Sequence, residues 1–156
     1  MSHTKSYRVT KKEILKKRDK KYPDSYTQEI SGNIDRLLVP INAVRDAYDK
    51  PMSVSSGWRP PAINEATSNA AEKSNHLKGL AVDFKDPNGK LRDWVLDNLA
   101  FIASLGIYLE DFRWTPGWVH MQIVPPGSKR RIYRPSMADA RDPNAWDGKY
   151  DKSLNG

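Results

Sequence analysis

The chain contains no cysteine. That excludes disulfides, thiolate zinc sites and thiol nucleophiles, and leaves the redox compartment open. Any metal would have to be held by nitrogen and oxygen. Histidine is scarce as well. There are three, and His3 lies in a basic terminal segment, so His76 and His120 are the imidazoles available to a folded core. No apolar run approaches the roughly eighteen residues that a membrane span needs. The basic N-terminus lacks the apolar stretch of a signal peptide. The chain is therefore expected to be made in the cytoplasm, with any exit needing outside help.

What is present points to a polar globular domain. Hydrophobic residues make up 38% and charged residues 29% of 156 residues, a length at which one core reaches useful size. The net charge of +7 and pI near 9.6 suit polyanionic partners: nucleic acid, anionic lipid or an anionic cell-wall polymer. A basic surface with no partner has the same composition. There is no internal repeat and no linker between two domains. Residues 1–23 read as a basic arm or peripheral helix, residues 24–136 as one domain, and residues 137–156 as a loosely attached tail.

The hydrophobic spacing then sets out the elements. Ile30, Ile34, Leu37, Leu38, Ile41, Val44 and Tyr48 recur at three- and four-residue steps, which marks one face of a helix over 26–49. Pro40 is expected to kink or split it. Residues 52–56 alternate as a short strand and run into the sharp loop Gly57, Trp58, Arg59, Pro60, Pro61. Residues 80–84 read as a buried strand, and 107–109 as a short one. Leu91, Trp94, Val95, Leu99, Ile102 and Leu105 predict a second helix, closed by Gly106. Residues 118–124 alternate again, with Trp118, His120 and Gln122 on one face and Val119, Met121 and Ile123 on the other. Residues 130–134 suggest a last strand.

Asp83 lies inside an apolar strand, where a carboxylate is costly unless it is paired or ligates a cation. His76 precedes it by seven residues across Gly79, on a loop that can face the same point. His120 shares a strand face with Gln122. Two imidazoles and one carboxylate can hold zinc with a fourth position open. Such an ion lowers the pKa of water to about 7 and polarises a carbonyl. Glu110 and Asp111, one loop before the His120 strand, are the candidate general bases. Arg59, at the end of a strand, can grip a carboxylate or carbonyl oxygen. Each residue also has a plainer reading: a capping or salt-bridged aspartate, a strand histidine making a structural hydrogen bond, a solvated arginine.

Taken together these residues resemble a family. Ser55, Ser56, Gly57, Trp58, Arg59 and Pro60, then Asn64, then Ser74, His76, Gly79, Ala81 and Asp83, then Trp118, Val119 and His120, look like the zinc D-Ala-D-Ala carboxypeptidase/endopeptidase family. That family includes phage endolysins and resembles the hedgehog signalling domain in fold. The likeness covers roughly residues 34–124. It implies an α+β fold in which a small antiparallel sheet, packed against helices, carries the metal. It implies zinc held by His76, Asp83 and His120, with Arg59 orienting substrate or stabilising the transition state and Ser74 hydrogen-bonded within the site. The family's base is an acidic residue shortly before the last histidine, often three ahead. Here that position is Gly117, so the role falls to Glu110 or Asp111. Neighbouring strand residues face opposite ways, so one of them can serve, and Glu110 is the family's more usual type.

The resemblance further implies a peptidase acting on D-amino-acid-containing stem peptides or cross-links of bacterial peptidoglycan; the chain is also expected to be a monomer. It would be a carboxypeptidase or endopeptidase, released by a phage at lysis or carried on a virion, with no nucleic-acid partner. Two alternatives remain beside it: a metal-binding but inactive wall-binding or interaction module of the same fold, and a nucleic-acid binder or nuclease suggested by the charge and the five tryptophans.

Overall fold

One five-stranded sheet organises the computed structural model, which describes residues 8–67 and 74–133. Its strands are β1 (Val54–Ser56), β2 (Ala81–Lys85), β3 (Tyr108–Glu110), β4 (Trp118–Gln122) and β5 (Ile132–Tyr133), in the spatial order β1-β2-β4-β3-β5. Around it lie α1 (Lys11–Leu15), α2 (Arg18–Lys21), α3 (Gln28–Tyr48), α4 (Pro61–Ala66), α5 (Lys90–Asp97) and α6 (Leu99–Ser104). The fold is α+β. His3 and the tail expected over residues 137–156 lie outside the described residues.

The sheet is antiparallel except at one edge, where β5 runs parallel to β3. The reason is local. Both sides of β4 are occupied, by β2 and β3, so the chain that reverses after β4 cannot pair with it and docks on the edge of β3. Since β3 already opposes β4, the returning strand lies parallel to it.

The two faces of the sheet differ chemically. Val82, Phe84, Leu109, Val119, Met121 and Ile132 are completely buried and share a core with Ile34, Leu37, Ile41 and Val44 of α3. Side chains alternate along a strand, so Asp83, Glu110, His120 and Gln122 fall on the opposite face. The register places Asp83 directly across from His120, and Glu110 across from Tyr133. A bulge in β1 sets Ser56 beside Asp83.

Two helix expectations change. Pro40 does not split α3, which runs unbroken from Gln28 to Tyr48. Its buried residues Ile34 and Leu37 before the proline, and Ile41 and Val44 after it, hold both halves on the same core. Thr27 caps the start, accepting from the Ile30 N–H. Conversely, the helix expected from Leu91 to Leu105 is two helices broken at Asn98. Asn98 directs both its backbone N–H and its side-chain Nδ2 to the Trp94 carbonyl. That local bonding competes with helix continuation.

The N-terminal segment belongs to the same core. Val9, Ile14 and Leu15 are buried in it, and Asn42 of α3 bonds both the N–H and the carbonyl of Val9, at 2.8 and 2.9 Å. Three apolar residues thus dock a stretch expected as a basic arm or peripheral helix. Ile14 also meets the loop after β1. Its carbonyl accepts from the Trp58 N–H at 2.9 Å, and a Cβ on Gly57 would collide with the Ile14 backbone. Backbone atoms cannot swing aside as a flexible side chain can. Gly57→Ala is therefore expected to destabilise the fold by about 1–3 kcal/mol, the usual range for overpacking. Thermal denaturation checks this, with Gly127→Ala as the control, because nothing lies within 4 Å of a Cβ there.

Candidate metal centre

His76 sits on a 3₁₀ turn, Asn75–Lys78, that three hydrogen bonds lace to the loop after β1. The Trp58 indole donates to the Leu77 carbonyl (3.0 Å), the Arg59 N–H to the His76 carbonyl (3.0 Å), and His76 Nδ1 to the Gly57 carbonyl (2.8 Å). Trp58 is 1% exposed and is braced by the Tyr26 ring. Ser74 caps the turn, its hydroxyl accepting from the His76 N–H at 3.1 Å. Gly79 ends it in the left-handed region at φ 74°, against Ile30 and Ile34 of α3. The spacing Ser-x-His-x-x-Gly is thus a cap, a ring and a stop, followed at once by the strand that carries Asp83.

The loop and the sheet bring His76, Asp83 and His120 together. All three are buried, and one ligand atom from each lies within 4.8 Å of the others. Asp83 Oδ1 is 3.3 Å from His76 Nε2 and 2.8 Å from His120 Nδ1. Because His76 Nδ1 donates to a carbonyl, the neutral ring presents a bare lone pair at Nε2. That atom is buried and has no hydrogen-bond partner. The approach of that nitrogen to a carboxylate oxygen in a desolvated place is favourable only with positive charge between them, a second ring proton or a metal ion. The donor set, two imidazole nitrogens and a carboxylate, is the one zinc accepts with a position left open. The residues present therefore fit a zinc ion.

Electrostatics point the same way. Burial works against an ionised Asp83, but the neighbouring His76 and His120 outweigh it and hold the carboxyl well below the usual carboxylate range. Burial also opposes charge on His120. The Glu110 carboxylate, then the hydrogen bond and charge of Asp83, raise it to about 9 all the same. These neighbours thus favour a proton on His120 in the metal-free protein.

A pH dependence follows. An unfolded histidine titrates near 6.5 and folded His120 near 9, so its contribution to stability is complete below 6.5 and is lost as pH rises through about 9. The melting temperature of chelator-treated protein should fall across that window. Zinc needs the deprotonated nitrogen, so the extra stability conferred by saturating zinc should grow with pH over the same range.

Two further groups flank the cluster. Glu110 Oε1 lies 3.9 Å from His120 Nδ1, and its side chain keeps 23% exposure, so it can meet both the cluster and solvent. Arg59 places Nη2 3.7 Å from Asp83 Oδ2, while Nε bonds Ser56 Oγ and Nη1 bonds Asn64 Oδ1, each at 3.1 Å. Burial lowers the Arg59 pKa, an effect the charges of Asp83 and Glu110 oppose. Tyr133 is pushed well above an ordinary phenol, by burial first and then by Glu110 and Asp83, so its hydroxyl stays a donor.

Asp111 is not brought to this group. Its carboxylate is fully buried, accepts from the Arg113 N–H and pairs with the Arg113 guanidinium at 2.5 Å, capping a second 3₁₀ turn, Phe112–Trp114. Ser74, expected to hydrogen-bond within the site, accepts from the N–H of His76 in the turn. Sequence reasoning gave no role to the Gly57 carbonyl that orients His76, nor to Gln122. The signal for Gln122 was available: it is an amide on the same face as a candidate ligand, in a strand otherwise apolar from Val119 to Ile123.

The buried His-Asp-His cluster, set between one sheet face and the adjoining 3₁₀ turn, has a part-exposed acid and an anchored arginine beside it. Residues 8–120 match the family model described as Peptidase M15. The chain belongs to the peptidase M15 family, the zinc D-Ala-D-Ala carboxypeptidase-like metallopeptidases. No curated protein and no solved structure matches it.

Proposed function

We propose that the chain is a zinc peptidase that hydrolyses D-amino-acid-containing peptide bonds of bacterial peptidoglycan, in a phage or bacterial wall-lytic role. The observation that carries this reading is Glu110 Oε1 at 3.9 Å from His120 Nδ1, beside the cluster that Asp83 and His76 complete. It joins a candidate proton acceptor to a candidate cation site. His76, Asp83 and His120 are the ligands in this reading. When bound, zinc supplies Lewis-acid polarisation of a peptide carbonyl and makes water more acidic. Glu110 takes the proton from the attacking water and passes it to the leaving amine as the C–N bond breaks. Arg59, held on three sides, offers its guanidinium to the developing oxyanion or to a substrate carboxylate.

Wall peptides are favoured by the family membership and by the charge of +7, which suits an anionic wall. In this reading the protein acts at the wall as a lysis product or on a virion. The test is hydrolysis of purified peptidoglycan with zinc present, read as new free amino groups. Their release, abolished by a chelator and restored by zinc, supports the reading. No release by zinc-loaded protein overturns it.

A further inference from the structure

Gln122 follows His120 by two residues on β4, so both side chains stand on the same sheet face. Gln122 is 2% exposed. Its Nε2 donates to the Val124 carbonyl at 2.7 Å, which settles which way the amide points. Oε1 is left to face inward, where it meets two donors: His120 Nε2 at 2.7 Å and the Tyr133 hydroxyl at 2.6 Å. An amide oxygen has two lone pairs, and here both are used.

The consequence falls on the histidine. A neutral imidazole carries one N–H, and the nitrogen without it is the one able to bind a cation. With an acceptor fixed at Nε2, the proton stays there and the lone pair is assigned to Nδ1, the atom 2.8 Å from Asp83 Oδ1. Were the amide reversed, its NH₂ would face Nε2 and favour the opposite tautomer. The Val124 carbonyl, which can only accept, prevents that reversal, and the Tyr133 hydroxyl adds a hydrogen bond to Oε1 as it stands. The Tyr133 ring also stands edge-on to His120, with centroids 6.5 Å apart.

We infer that Gln122, oriented by the Val124 carbonyl and the Tyr133 hydroxyl, is a positioning residue that locks His120 in the Nε2–H tautomer and so presents Nδ1 to the metal. This rests on the metal-centre reading above. It assigns β5, the short parallel edge strand, a function: it delivers the Tyr133 hydroxyl to the site.

The test compares zinc affinity, by competition with a chromophoric chelator, across wild type, Gln122→Met, Gln122→Glu and Tyr133→Phe. Gln122→Met keeps the length and removes the acceptor, and should weaken zinc by about 10–100-fold, the usual effect of losing such an outer hydrogen bond. Gln122→Glu keeps an acceptor and should stay within a few-fold of wild type. Tyr133→Phe leaves the Val124 anchor and should fall between them. Proton NMR of the cobalt-loaded protein gives a second readout. The shifted, exchangeable His120 ring N–H should be present in wild type and Gln122→Glu, and lost or fast-exchanging in Gln122→Met. Equal zinc affinity in wild type and Gln122→Met, or equal loss in Gln122→Met and Gln122→Glu, overturns the inference while leaving the metal centre standing. A wild type that takes up no zinc overturns both.

Discussion

Replacing Glu110 by Gln should lower kcat on wall peptide by about 10²–10⁴-fold, the range general acid–base groups contribute, while zinc stays bound. Gln keeps the size of the side chain and removes the charge and the proton-accepting oxygen. Zinc retention follows from the electrostatics. Glu110 is the largest influence raising His120 against burial, so without its charge the His120 proton is held less tightly. Zinc competes with that proton, so easier deprotonation of His120 offsets part of the loss of the Glu110 charge near the cation, and His76, Asp83 and His120 should still retain zinc at neutral pH. The informative comparison is Asp111→Asn. Asp111 is enclosed and paired with Arg113, so its loss should lower the melting temperature and leave kcat within a few-fold. A catalytic collapse in Asp111→Asn with normal turnover in Glu110→Gln would reverse the assignment of the base.

Asp83→Asn should have the larger effect on the metal. The carboxylate is the one anion among the three candidate ligands, and it also faces Arg59 Nη2 at 3.7 Å. An amide is nearly the same shape, but its NH₂ would point a donor at an imidazole nitrogen or at a guanidinium. Zinc affinity should drop by at least about 100-fold, the upper end of what outer-shell losses cost, and activity should drop with it. In chelator-treated protein the same substitution should lower the His120 pKa, because the hydrogen bond and charge that help hold it near 9 are gone. Zinc affinity by chelator competition, with histidine titration by NMR, checks both halves.

Much of this site was legible along the chain. The Ser-x-His-x-x-Gly-x-Ala-x-Asp spacing is a local object: a cap, a ring, a left-handed stop and a strand within ten residues, and each part has a conformational signature. Strand parity separated Glu110 from Asp111 in principle, since consecutive residues in extended chain face opposite ways, and Asp111 follows the last residue of β3. What local pattern could not supply was pairing. Asp83 meets His120 across 37 residues of sequence, and nothing in either strand specifies the register that sets them opposite each other. The parallel edge strand was hidden for the same reason, because its direction depends on which sheet edge is free. Gly57 carries no visible signal of its role, which is set by the approach of Ile14 and by a carbonyl rather than a side chain. Asn98 did carry one, a helix-interrupting amide mid-pattern, outweighed there by the hydrophobic spacing on both sides.

The central claim is that His76, Asp83 and His120 converge on one divalent cation. Equilibrium dialysis of the purified, chelator-stripped protein against zinc near neutral pH tests it most directly, with the bound metal measured by elemental analysis beside a His76→Ala variant. One zinc per chain in the wild type and none retained by the variant is the predicted result. No zinc in the wild type, or equal zinc in both, would contradict it.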